Sequence, residues 1–67
     1  MYIEEGDTVP FENNEDLSFF DDGMATVRLY VKKQYHGFID VWRDSGKEYI
    51  ILNGNAIYLD TIRKIEA

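Results

Sequence analysis

The side chains in this sequence able to do chemistry cluster around one histidine. His36 follows Tyr35 and lies three or four residues after Lys32 and Lys33. Such a group suits contact with a ligand or a response to pH. The plainer reading is an exposed strand residue, and it is preferred here. Lys32 and Lys33 extend the group into candidate nucleic-acid contacts, since cations beside an aromatic ring can hold a phosphate and stack a base. Arg28, Arg43 and Lys47 could join them in one basic patch. A second set consists of exposed-type aromatics and amides on predicted strands and turns: Tyr35, Phe38, Trp42, Tyr58, Asn53 and Asn55. These are candidate partner-binding residues, because aromatics on a β-surface dock peptides. Trp42 and Phe38 could instead pack beneath the first third of the chain, against Phe11, Phe19 or Phe20, and this is the favoured reading of the two.

The third set is acidic. Residues 1–24 carry eight acids and no base; residues 25–67 carry five acids and seven bases, so the two parts hold −8 and +2 of the net −6. Glu12, Glu15, Asp16, Asp21 and Asp22 could present charge to a basic groove as a nucleic-acid backbone does. A solubilising arm explains the same run. The composition disfavours nucleic-acid binding without excluding it.

Catalysis has no support. There is no nucleophile elbow, phosphate-cradling glycine loop or metal-ligand spacing. The chain has no cysteine and one histidine, which removes disulfides and thiolate sites. Neither cofactor nor metal is expected. No apolar run approaches the ~20 residues of a membrane-spanning helix, and the first residues lack a signal-peptide pattern. A cytoplasmic, non-membrane protein is the expectation.

These groups need elements to hold them, and a chain of 67 residues has room for one domain with a small core. Residues 1–24 read as an acidic segment packing on or leading into a barrel formed by residues 25–67. Asn13–Phe20 could form a short helix, with Asn14 as N-cap and Leu17 and Phe20 on one face. From Ala25 the period becomes two: Val27, Leu29 and Val31 alternate with polar or amphipathic residues, as in a half-buried strand. His36–Arg43 reads as a second strand, with Gly37 marking a bulge or corner. Asp44–Lys47 is a turn. Glu48–Asn53 is a central strand, Asn53–Gly54–Asn55 a hairpin, and Ala56–Leu59 and Ile62–Ile65 short closing strands. The expected fold is all-β: a five-stranded, bent antiparallel barrel of SH3-like or Sm-like type, with or without an N-terminal helix.

The pattern from residue 25 onward resembles the Sm-like family, especially the Hfq-type bacterial RNA chaperones. Val27–Val31 stands for the first strand, Lys33–Ile39 for the bent glycine-containing second, Tyr49–Asn53 for the third and Ile57–Ile65 for the paired end strands. The resemblance implies a barrel that can assemble into a ring. The basic, histidine-containing run that such chaperones carry before the last strand is absent; the chain reads Tyr58–Leu59–Asp60–Thr61–Ile62. The functional expectation is therefore a non-enzymatic module acting through protein–protein contacts, with a homo-oligomer as one route to extra burial. Two alternatives stay open: an Sm-like ring that binds RNA or a nucleotide, and an acidic inhibitor that mimics nucleic acid against a nuclease or similar protein of phage or mobile-element type.

Overall fold

A computed structural model describes residues 1–66. The fold is mostly β, in two sheets, and no α-helix forms among these residues. The strands are β1 (Leu17–Asp21), β2 (Thr26–Val31), β3 (Gln34–Asp40), β4 (Trp42–Asp44), β5 (Lys47–Leu52), β6 (Asn55–Tyr58) and β7 (Arg63–Lys64). The first sheet has the order β3-β2-β1-β7 and the second β4-β5-β6.

The first sheet is built on β2. Its alternation buries Val27, Leu29 and Val31 and turns Arg28 and Tyr30 outward. β1 pairs with it antiparallel, Phe19 opposite Leu29. This replaces the short helix expected over Asn13–Phe20. Asn14–Asp16 forms only a 3-10 turn, capped by Asn13 rather than Asn14. The residues after it are extended: Leu17 and Phe19 share the buried face, while Phe20 points the other way and Asp21 is exposed. Pairing with β2 and burial of two large side chains outweigh two turns of local helix, which are marginal alone. The acidic first third therefore supplies an interior strand of the sheet, and Ile3 and Val9 also enter the core.

The chain passes between the sheets twice. β3 and β4 are nearly continuous, broken at Val41, whose N–H donates to the carbonyl of Ala25 at 2.9 Å. The strand expected over His36–Arg43 is thus split, with Trp42 and Arg43 in the second sheet. The return runs through a 3-10 turn, Leu59–Thr61, into β7. β7 pairs with β1 in parallel, Ser18 opposite Arg63, so the pairing is not wholly antiparallel, and the strands among the described residues number seven rather than five. Thirteen buried apolar side chains from both sheets and the N-terminal segment fill the space between, led by Leu17, Leu29, Ile50 and Leu52.

Three hairpins have two-residue loops whose central residues both take positive φ, as tight hairpins of this hand require: Lys32–Lys33 (51° and 68°), Ser45–Gly46 (52° and 82°) and Asn53–Gly54 (52° and 78°). Glycine fills the second position in the last two. The first uses two lysines, although the left-handed region disfavours them.

Candidate functional site

The first sheet has a solvent face, and its register assembles the site. Phe20, Arg28 and Phe38 lie in one row across β1, β2 and β3; Ser18, Tyr30 and Tyr35 lie in the next. The second row needs an irregularity. Leu29 pairs with Gly37 but Tyr30 pairs with Tyr35, which leaves His36 as an extra residue. This bulge resets the alternation, so Tyr35 and Phe38 share the outer face. Without it, residues three apart on a strand would point to opposite sides.

Tyr2 completes the first row. Met1–Ile3 runs alongside β3 through a parallel bridge at Phe38. The Phe38 N–H donates to the Met1 carbonyl and the Ile3 N–H to the Phe38 carbonyl, both at 2.8 Å. The rings of Tyr2 and Phe38 lie 5.4 Å apart, those of Tyr30 and Tyr35 5.5 Å apart. The Arg28 guanidinium stands 5.7 Å over the Phe20 ring and pairs with Asp22 at 3.2 Å. Five rings with one neutralised arginine thus form a platform, and a groove of about 800 Å³ crosses it between Met24, Tyr30, Tyr35 and Phe38. Inter-ring spacings of this size are those of favourable aromatic pairs.

The platform is polarised along the strands. Asp22 and Asp40 stand at the end where Thr26 pairs with Asp40. The Tyr2 hydroxyl donates to Asp40 Oδ2. That bond above all, then desolvation and the nearby charges of Asp40, Glu4 and Glu5, hold the Tyr2 phenol above its ordinary value. A raised phenol means that the contribution of this bond is fully present below the ordinary value, about 10, and is lost as pH rises through the raised one. An alkaline absorbance titration is expected to show a late-titrating phenol that Tyr2→Phe removes. Amide exchange at Ile3 should accelerate over the same pH range in the native protein.

The other end carries four cations, at the β2–β3 turn and on β7, and three acids. Lys32 and Lys33 form the β2–β3 turn, and they line one groove of about 570 Å³ with Arg63 and Lys64 from β7. None of the four makes an ion pair among the described residues. Glu15, Asp16 and Glu66 line the same groove.

The residues singled out from sequence are distributed as follows. Tyr35 (51% exposed) and Phe38 sit on the platform. Trp42 and Tyr58 lie on the second sheet, in a row with Tyr49, and Tyr49 and Tyr58 pair at 5.4 Å. Trp42 is 46% exposed. It makes no ring pair with Phe11, Phe19 or Phe20 among the described residues, which corrects the expectation that it packs beneath the N-terminal segment. Its strand belongs to the second sheet, whereas Phe19 and Phe20 lie on β1 of the first.

Asn53 is engaged inside the molecule: its Oδ1 accepts from the Val9 N–H at 2.7 Å and its Nδ2 donates to the Val9 carbonyl at 2.8 Å. Asn55 closes the same turn on the Asn53 carbonyl. His36 lines a groove with Met1, Ile3, Asp7, Thr8 and Val9. Glu12, Glu15 and Asp16 lie at the start of β1, and Asp21 and Asp22 at its end, so the acidic set falls into two groups separated by the length of the strand. No three His, Asp or Glu side chains among the described residues gather as metal ligands, and no helix is long and apolar enough to cross a membrane.

Tyr2, Phe20, Tyr30 and Tyr49 join the candidate residues only in the fold. Tyr30 is legible as an outward neighbour of Leu29 and Val31. Tyr2 carried no local signal, because its place depends on a contact with β3. Comparisons with protein-family models, curated proteins and solved structures give no match.

Proposed function

We propose that the protein is a non-enzymatic interaction module whose working surface is the aromatic platform of the first sheet, and that it acts through protein–protein contacts. The supporting observation is the gathering of Tyr2, Phe20, Tyr30, Tyr35 and Phe38 on the solvent side of a sheet whose other side is core. Large rings with few rotatable bonds give contact area at low entropic cost, which is why they anchor interfaces. The two sheets are read as a small barrel of SH3-like or Sm-like type. The nearly continuous passage from β3 into β4 and the 3-10 turn before the last strand support that reading.

Photo-crosslinking tests the surface directly. Benzoylphenylalanine in place of Tyr35 is expected to yield covalent protein adducts in the native cell, while the same group at Lys47, in the far turn of the second sheet, yields none. Absence of protein adducts at position 35 would overturn the proposal. A second reading, single-stranded nucleic acid, is favoured by one observation, the four cations beside Tyr30 that make no ion pair among the described residues. It requires oligonucleotide binding that falls steeply with salt and with Lys32→Ala or Lys33→Ala.

A further inference from the structure

The platform is self-complementary, and we infer that the partner it fits is a second copy of this chain, packed face to face across a two-fold axis. This inference rests on the proposed function above and names the occupant. Along β2 the outward positions run from the acidic end, Asp22 and Asp40 beside Thr26, through Arg28 and Tyr30 to the basic turn, Lys32–Lys33. A two-fold axis lying in the interface, parallel to the sheet and perpendicular to the strands at the level of Leu29, reverses that order in the partner. The acidic end of each copy then meets the basic turn of the other. The Phe20–Arg28–Phe38 row of each copy lies over the Ser18–Tyr30–Tyr35 row of its partner, which places Arg28 above tyrosine rings. Such an arrangement is isologous and closes at two subunits.

Two further observations support it. The turn that supplies the positive end is the one hairpin of the three that carries no glycine, both lysines lying at positive φ. Strain of this kind persists where something other than local stability holds the residue in place, and here the charge is what glycine would lose. The platform is also the right size for a weak pair. Four strands about 4.8 Å apart and six residues at about 3.3 Å each give a footprint of about 300 Å² in plan. That lies below a standard interface, so the dimer is expected to be concentration-dependent and to loosen with salt.

A polyanion fits less well. It would meet Lys32, Lys33, Arg63 and Lys64 at one end, interspersed with Glu15, Asp16 and Glu66, and Asp22, Asp40, Glu4 and Glu5 at the other would repel it.

The test is sedimentation equilibrium over a concentration series, with a charge exchange. The native chain is expected to move from 7.9 kDa toward twice that mass, about 16 kDa. Lys32→Glu with Lys33→Glu makes both ends acidic; Glu4→Lys and Glu5→Lys together with Asp40→Lys and Met24→Lys make both ends basic. Each variant alone is expected to self-associate about tenfold or more weakly, because like charges then face each other. Mixed in equal amounts, the two should pair again, since every contact is restored between unlike copies. Circular dichroism checks that each is folded. Should the basic-end variant fail to fold, Tyr35→Ala and the Lys32→Glu/Lys33→Glu variant still decide the matter, as both alter exposed positions.

A native chain that stays at 7.9 kDa overturns the inference, as does a ring of six or more copies, or a dimer indifferent to all of these changes. A monomer that binds an oligonucleotide with steep salt dependence assigns the surface to nucleic acid instead. If the native chain is monomeric and position 35 still crosslinks to a different protein, the dimer fails while the proposed function stands.

Discussion

Replacing Gly37 by alanine is expected to destabilise the protein by about 2–4 kcal/mol, the range for a strained backbone position with a forced clash. Gly37 has φ +143°, a conformation side chains rarely adopt, and a Cβ there would lie 2.6 Å from the Met1 carbonyl oxygen and 2.9 Å from Cγ1 of Ile3. The first neighbour is backbone held by the Phe38 N–H, and the second belongs to a side chain only 4% exposed, so neither can yield cheaply. A chain of 67 residues is stabilised in total by about 3–10 kcal/mol. The expected fall in melting temperature is therefore large, about 10–25 °C. Urea unfolding measures the loss. A second readout locates it: in a chain shortened by residues 1–3, Gly37→Ala should cost markedly less, because only the backbone strain remains. An equal cost in both backgrounds would show that the N-terminal strap and Gly37 are energetically independent.

The same glycine explains part of what was legible in the sequence. A glycine inside a strand pattern points to a bulge, and one is present, with His36 as the inserted residue. The alternation of Val27, Leu29 and Val31 was equally readable, because β2 buries one face and exposes the other. The turns at Ser45–Gly46 and Asn53–Gly54 carry the residues their geometry demands. The stretch from Asn13 to Phe20 misleads. A cap, an acidic first turn and apolar residues three apart imitate a helix there. The competing signal, Leu17 and Phe19 two apart, is obscured by Phe20, an apolar residue on the outer face against Arg28. Nor could the parallel pairing of β7 with β1 be read. It joins residues forty-five apart through backbone bonds, including Ile65 N–H to the Phe19 carbonyl at 2.7 Å, which leave no trace in composition.

The platform was half legible for the same reason. Tyr35 and Phe38 stand out in the sequence as candidate partner-binding residues, with packing beneath the first third of the chain the favoured reading of Phe38, but their shared face depends on the bulge, and their neighbours Tyr2 and Phe20 arrive from segments that read as an acidic arm. The acidic first third is thereby given a structural role. It places Leu17 and Phe19 in the core and Tyr2 and Phe20 on the platform. Its carboxylates cap turns, as Asp16 does for the Glu12 N–H and Asp21 for the Gly23 N–H, and set the charge at one end of the platform.

Asn53→Ala is the substitution expected to rank with Gly37→Ala, at about 2–4 kcal/mol, and it acts from the β5–β6 turn on the same N-terminal segment. Asn53 does two things at once. Its backbone sits at φ 52°, where asparagine is among the few tolerated residues. Its amide grips both polar groups of Val9, a residue 1% exposed whose N–H and carbonyl would otherwise lose their partners. An unsatisfied buried backbone group costs about 1–3 kcal/mol, and moving a non-glycine residue without a polar side chain into the left-handed region costs about 1–2. The two contributions separate by experiment. Asn53→Gly keeps the backbone relaxed and loses only the grip on Val9, so it should be less damaging than alanine by about 1 kcal/mol. Asn53→Asp can still accept from the Val9 N–H but cannot donate to the carbonyl when ionised, and should fall between the native residue and glycine. Urea unfolding of the three variants gives the order. If glycine restored native stability, the amide clamp would be worth nothing, and the segment carrying Val9 would be held by burial alone.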